Sequence, residues 1–185
     1  MRKIILDLAI SLDGFIAGPN QEIDWIIFDD ENGKELSAFA DKVDTVLYGR
    51  TSYEQFGNYV PPLDSSIFEK QFYYKVNAMH KVVFSRSVAK FEGNPQVIGN
   101  DVKKRVLELK SAKGKDIWLF GGAALNSSLI NLGLVDEIRI GINPTILGEG
   151  IPLFKQIDVR KTLSLIKTKT YHSGLVGLFY RVENS

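Results

Sequence analysis

Apolar and polar positions follow two rhythms along this chain. Residues 3–10 form a nearly continuous apolar run opening on Ile4-Ile5-Leu6, which predicts a buried strand. Residues 81–85 (KVVFS) and 117–120 (IWLF) repeat that pattern, and residues 45–48 and 96–98 give shorter versions of it. Between these runs the spacing lengthens to that of a helix. Residues 30–41 place Leu36, Phe39 and Ala40 on one face, and residues 101–111 do the same with Val102, Val106 and Leu109 behind an N-cap at Asp101. Residues 51–56, the aromatic-rich 67–79 and 123–131 read as further helices, the last closed by Gly133. Residues 136–142 alternate as a strand, and 163–171 and 175–182 flank a tight turn at His172-Ser173-Gly174, which predicts a hairpin. Strands alternating with helices and ending in a hairpin predict an α/β fold. Its sheet is mostly parallel, covered by helices on both faces, with an antiparallel edge. No repeat, low-complexity stretch or linker interrupts residues 1–185, so a single domain is expected.

Composition narrows the chemistry. With 23 basic and 22 acidic residues the net charge is +1, which gives no case for nucleic acid or an anionic membrane as partner. There is no cysteine and there are two histidines, His80 and His172, so thiolate catalysis is excluded and no metal site is expected. The first apolar run meets Asp7 after three residues, which is not the core of a secretory signal, and a cytoplasmic location is expected.

The turns after the strands carry the candidate sites. Gly121-Gly122 follows a buried strand and opens a helix, so the backbone can approach a ligand and free N–H groups face it, as a pyrophosphate requires. Two glycines serve a plain strand-to-helix turn equally well. Gly49-Arg50-Thr51 and Ser85-Arg86-Ser87 stand in the same position after other strands, and arginine with hydroxyl donors suits a phosphate. Ligands of open α/β sheets bind beyond the carboxyl ends of the strands, so three such turns point to one dinucleotide site. Two arginines and two serines beyond the pyrophosphate turn favour NADP over NAD. Asp24, Asp29 and Asp30 cluster near Trp25, where a desolvated carboxyl group delivers a proton. The same Asp29 and Asp30 also suit a helix N-terminus.

These stretches together resemble the dihydrofolate-reductase-like superfamily. The likeness is greatest to the reductase domain of the bifunctional deaminase–reductase of riboflavin biosynthesis. It rests on SLDGFIAG at residues 11–18, EIDW at 22–25, LYGRTSYE at 47–54 and VVFSRS at 82–87. IWLFGGAAL at 117–125 and VDEIRIGINPTILGEGIPLF at 135–154 complete it. The resemblance implies a three-layer fold and an NADPH cofactor. It implies that Ala9, Ile16 and Asn126 lie at the nicotinamide, and that Gly49, Arg50 and Thr51 hold phosphate. It implies that Ser85 and Arg86 meet the 2′-phosphate, and that Gly121, Gly122, Ala123, Ala124 and Leu125 form the pyrophosphate turn. It sets Trp25, with Leu147 and Gly148 of the 143–150 loop, beside the substrate, and Asp30 as the catalytic carboxylate. The stretch from Trp25 to Gly49 is longer than in the folate enzymes, which leaves Asp29 and Asp24 as alternatives. No zinc-deaminase signature is present, so a stand-alone reductase is expected. Its substrate would be a pterin-like or aminopyrimidine heterocycle of the 5-amino-6-ribosylaminouracil type, and a homodimer is expected by analogy. A nucleotide-binding module of the same fold without turnover is the alternative.

Overall fold

A computed structural model of the chain describes residues 1–87 and 90–183. In chain order the elements are β1 (Ile4–Ile10), β2 (Phe15–Ala17), α1 (Asp30–Ala40), β3 (Val43–Gly49), α2 (Arg50–Phe56), α3 (Ile67–Asn77), β4 (His80–Phe84) and β5 (Gln96–Ile98). They continue with α4 (Val102–Ser111), β6 (Asp116–Gly121), α5 (Ala123–Asn131), β7 (Glu137–Ile142), β8 (Ile151–Pro152), β9 (Leu163–Thr170) and β10 (Val176–Val182).

Among the described residues the main sheet runs β5-β4-β3-β6-β1-β7-β10-β9. The strands from β5 through β7 pair in parallel, while β10 is antiparallel to both β7 and β9, so the predicted mixed sheet and terminal hairpin are both present.

Strand alternation divides the core between the two faces of that sheet. Ile4, Leu6, Leu47, Val82, Ile117 and Leu119 turn to one face and pack with Val106 of α4 and Leu125 and Leu129 of α5. Ile5, Val46, Tyr48, Val83 and Trp118 turn to the other and meet Phe39 of α1, Tyr53 of α2 and Phe72 and Val76 of α3. The aromatic helix α3 is therefore largely a core element. Burying a Phe or Leu side chain contributes roughly 1.5–3 kcal/mol, so each layer supplies a large share of the stability.

Two details differ from the sequence reading. Asp101 does precede α4, but it stands in the left-handed region at φ 49° and its side chain caps nothing. Its carbonyl still accepts from the Arg105 N–H at 3.0 Å, so the helix starts there through backbone geometry alone. The second difference is a small sheet of β2 and β8, pairing residues 15–17 with 151–152. Both strands are too short for periodicity to reveal. No helix among the described residues is long and apolar enough to cross a membrane.

Candidate functional site

A cavity of about 740 Å³ opens on the α1–α3 side of the sheet. Its floor is the faces of β1, β6 and β7. Its walls come from α1, α2, α3, the segment 21–28 and the hairpin around Tyr171 and Leu175. That segment is held by two buried asparagines. The Asn143 Oδ1 accepts from the Ile27 N–H at 2.9 Å, and the Asn32 Nδ2 donates to the Ile27 carbonyl at 2.6 Å. Ile23, Ile26, Ile27 and Phe28 thereby line the space together with Phe72, Trp118 and Phe120. The result is a largely apolar, aromatic-walled slot, the usual form of a small-molecule site.

One edge of the slot is the strand–Gly-Gly–helix turn. Gly121 has φ 101°, and a Cβ there would stand 2.4 Å from the Asn126 Oδ1, so only glycine fits. Gly122 lines the cavity, and its N–H donates to the Ser52 Oγ at 3.2 Å. No side chain caps α5, which leaves its first-turn N–H groups available. A Cβ on Gly49 would come within 3.4 Å of the Gly121 carbonyl oxygen, so the ends of β3 and β6 lie close together. Arg50 donates from Nη1 to the Ser87 Oγ at 3.1 Å, and the Ser85 and Ser87 hydroxyls lie 3.0 Å apart. The three turns singled out from sequence thus share one edge of the sheet. Free helix N–H groups, an exposed guanidinium and clustered hydroxyls fit the phosphates of a dinucleotide.

Of the residues implied by resemblance, Ala9, Ile16, Thr51 and Gly122 line the cavity. Arg50 and Arg86 are exposed and Ser85 is half-buried, all three after strand ends on the same edge of the sheet as the Gly-Gly turn. Ala123 and Leu125 are buried in the first turn of α5, and Ala124 is exposed. Asn126 lies beneath Gly121, fully buried, and its Nδ2 donates to the Leu153 carbonyl at 3.2 Å; it supports the turn and does not line the cavity.

Like Asn126, four more of the expected residues, Asp30, Trp25, Leu147 and Gly148, stand outside the lining. Asp30 is exposed on the first turn of α1 and stands outside the cavity lining. Asp29 caps α1 instead, and the Asn32 N–H holds its carboxyl below the ordinary value. Only Asp24 of the three lines the cavity, and it is exposed. Trp25 turns aside and donates from Nε1 to the Glu22 carbonyl at 3.3 Å, while its neighbours Asp24 and Ile26 line the space. The Leu147 and Gly148 N–H groups donate to the Asp13 carboxylate at 3.2 and 2.8 Å. They clasp two loops together and lie outside the lining, with the Ser11 hydroxyl holding the Asp13 carboxyl below its ordinary value.

The sequence reading missed the polar group in the floor. Asp7 and Arg139 are register partners on β1 and β7, and Asp7 Oδ2 lies 2.9 Å from Arg139 Nε. The contact is electrostatic only, because the Arg139 Nε–H is not aimed at an acceptor. The guanidinium is held between the rings of Phe39 and Phe179, 4.3 and 4.9 Å from their centroids. Glu35 of α1 approaches Arg139 Nη2 at 3.5 Å. Burial pushes the Asp7 carboxyl up to about 6 against the opposing pull of Arg139. One signal was present: a carboxylate inside the apolar run Ile4–Ile10. Among the described residues no group of histidine, aspartate and glutamate has the arrangement of a metal site.

Comparison with known proteins agrees with this fold. Residues 2–177 match the RibD C-terminal domain family. The chain is 44% identical over 179 residues to the uncharacterized protein YyaP of Bacillus subtilis, covering 97% of this chain and 94% of that one. Its fold is similar to that of a putative riboflavin biosynthesis protein from Shewanella sp. PV-4, with a TM-score of 0.79, 20% identity and full coverage of both chains. It is also similar to dihydrofolate reductase from Enterococcus faecalis, solved with NADP(H), with a TM-score of 0.62, 15% identity and coverage of 98% and 97%. At such identities the two structures establish the dihydrofolate-reductase-like α/β fold alone. The family match over residues 2–177 shows that the chain belongs to the RibD C-terminal domain family, a family of reductase type.

Proposed function

We propose that this protein is an NADPH-dependent reductase that delivers hydride to a flat heterocycle of the pterin or aminopyrimidine kind. The observation that carries this reading is one continuous cavity, with the Gly-Gly turn and Thr51 at one edge and an aromatic slot over β1 and β7. NADPH, when bound, supplies the hydride; the protein supplies alignment and a dry surrounding. The first turn of α5, with Gly121 and Gly122, would hold the pyrophosphate, and Arg50, Ser85 and Arg86 the additional phosphate. Ala9 and Ile16 line the slot where the reactive ring would enter. Trp118 and Phe120 give an apolar face on which a second flat ring can lie, which favours a hydride-transfer geometry between stacked rings. Asp30 is exposed and outside the lining, so in this reading water entering past the exposed Gln21, Asp24 and Gln55 supplies the proton.

The cofactor assignment is tested by exchanging both Arg50 and Arg86 for alanine and titrating NADPH and NADH separately. NADPH affinity is expected to fall tenfold or more while NADH affinity changes little, since each lost charge-assisted hydrogen bond costs about 1.5–3 kcal/mol. Equal losses for both cofactors would remove the 2′-phosphate assignment.

A further inference from the structure

We infer that the outer face of α3, with residues 59–66 laid beside it, is a twofold interface on which a second copy of this chain docks. The inference is independent of what the cavity binds.

The helix is apolar on two sides. Phe72 and Val76 turn into the core, and Glu69, Phe72 and Tyr73 wall the cavity. On the other side Ile67 and Tyr74 stand in solvent, 65 and 80% exposed. They are two helical turns apart and so share one face. The preceding loop widens this stripe by running back along the helix. The Asn77 Nδ2 donates to the Tyr59 carbonyl at 2.9 Å, and the Lys70 Nζ donates to the Leu63 carbonyl at 2.5 Å. Ser66 then caps the helix, its Oγ accepting from the Glu69 N–H at 3.1 Å. These ties set Val60 beside the turn that carries Tyr74 and Leu63 beside the turn that carries Ile67. Val60 and Leu63 are 76 and 97% exposed.

The size of the patch matches what a dimer needs. At these exposures the four side chains offer roughly 500–600 Å², taking about 150–250 Å² for each when fully exposed. A soluble monomer rarely leaves more than a few hundred Å² of contiguous apolar surface open. A stable homodimer buries about 800 Å² on each partner, about 65% of it apolar, which is close to the area present here.

A second copy fits because the stripe complements itself. With α3 packed antiparallel to its mate about an axis between residues 70 and 71, Ile67 meets the partner's Tyr74 and Tyr74 meets the partner's Ile67. Tyrosine is among the residues that most often anchor such contacts. Lys70 is the charge nearest the axis, and its ammonium is drawn aside to the Leu63 carbonyl of its own chain. The one carboxylate of α3, Glu69, lies on the cavity side, so like charges do not meet across the axis. Docking there braces from outside the same helix that walls the cavity from inside.

Sedimentation velocity of the full chain across the micromolar range tests this. The wild type is expected to form a species of twice the 20.7 kDa chain mass. Tyr74→Lys and, separately, Leu63→Asp are each expected to weaken that association by about a hundredfold or more, because each residue enters a twofold interface twice. Both side chains are exposed, so thermal melts of the variants are expected to match the wild type; if one variant does not fold, the other decides. Leu165→Lys places the same charge on a second exposed apolar position, on β9, and is expected to leave association unchanged. A wild type that stays monomeric at every concentration, leaving the patch to a different protein, would overturn the inference. So would a dimer that the folded α3-face variants leave intact, or one that Leu165→Lys weakens as much as they do.

Discussion

The two ends of the cavity are built by different means. The Gly-Gly edge consists of local turns: Gly49, Gly121 and Gly122 end strands and start helices, and each turn is specified by residues adjacent in sequence. The floor consists of one long-range pair, Asp7 and Arg139, brought together by the register of β1 against β7 across more than a hundred residues. A locally specified site tolerates change in the rest of the chain. A register-specified one depends on the whole sheet and on the aromatic layer above it.

The comparison can be broken first by removing that aromatic layer. Trp118 is 4% exposed, contacts Phe39, Phe72 and Phe120, and donates its Nε1–H to the Asp7 carbonyl at 2.8 Å. Trp118→Ala is expected to cost about 3–5 kcal/mol of unfolding free energy, read from denaturant midpoints, and to abolish pyrimidine binding. An unaffected stability would mean that the floor does not depend on this layer. Next comes the local turn. Gly121→Ala is expected to cost about 2–3 kcal/mol through strain and the clash with Asn126. It would weaken NADPH binding while leaving aminopyrimidine binding to the remaining folded protein nearly intact.

A third expectation concerns pH. The folded Asp7 carboxyl is raised from 3.8 to about 6, so the native state holds this proton more tightly than the unfolded chain. Its stabilising contribution is complete below the unfolded value and is lost as pH rises through about 4 to 6. Asp7→Asn therefore gains stability relative to wild type over that window, by on the order of 3 kcal/mol, or several degrees in Tm. Melting curves of both proteins at pH 4, 5, 6 and 7 check it; parallel curves would show that Asp7 is not the desolvated group. The smallest effect belongs to the exposed Arg50–Glu54 pair at 2.8 Å. Glu54→Ala is expected to change stability by less than about 0.5 kcal/mol, as is usual for a surface ion pair.

This contrast also explains what the sequence disclosed. The order of strands and helices, the mixed sheet and the terminal hairpin were legible because apolar periodicity and turn chemistry are local. The turns at the ends of β3 and β6 were legible for the same reason: Gly-Arg-Thr and Gly-Gly carry their geometry with them. Asp30 was misplaced because counting along a loop of uncertain length does not reveal which of three aspartates turns inward. Asp29 was taken by the helix cap, and Asp30 was left in solvent. Leu147 and Gly148 were misread because their backbone N–H groups answer to Asp13, a partner that no local pattern names. Arg139 stands in the alternating run 136–142, whose pattern does not disclose that its guanidinium is enclosed by Phe39 and Phe179. A charge inside a buried parallel strand, as at Asp7, was the available clue, and its partner is defined only by strand register.

The central claim is that cofactor and substrate occupy opposite ends of one cavity. A crystal structure of the protein with NADPH tests it most directly. The account predicts phosphates on the first turn of α5 and beside Arg50, the nicotinamide entering past Gly122 and Ala9, and Asp7 left uncovered for a second ring. A nucleotide that lies against Asp7 and Arg139, or that binds away from the Gly121-Gly122 turn, would contradict it.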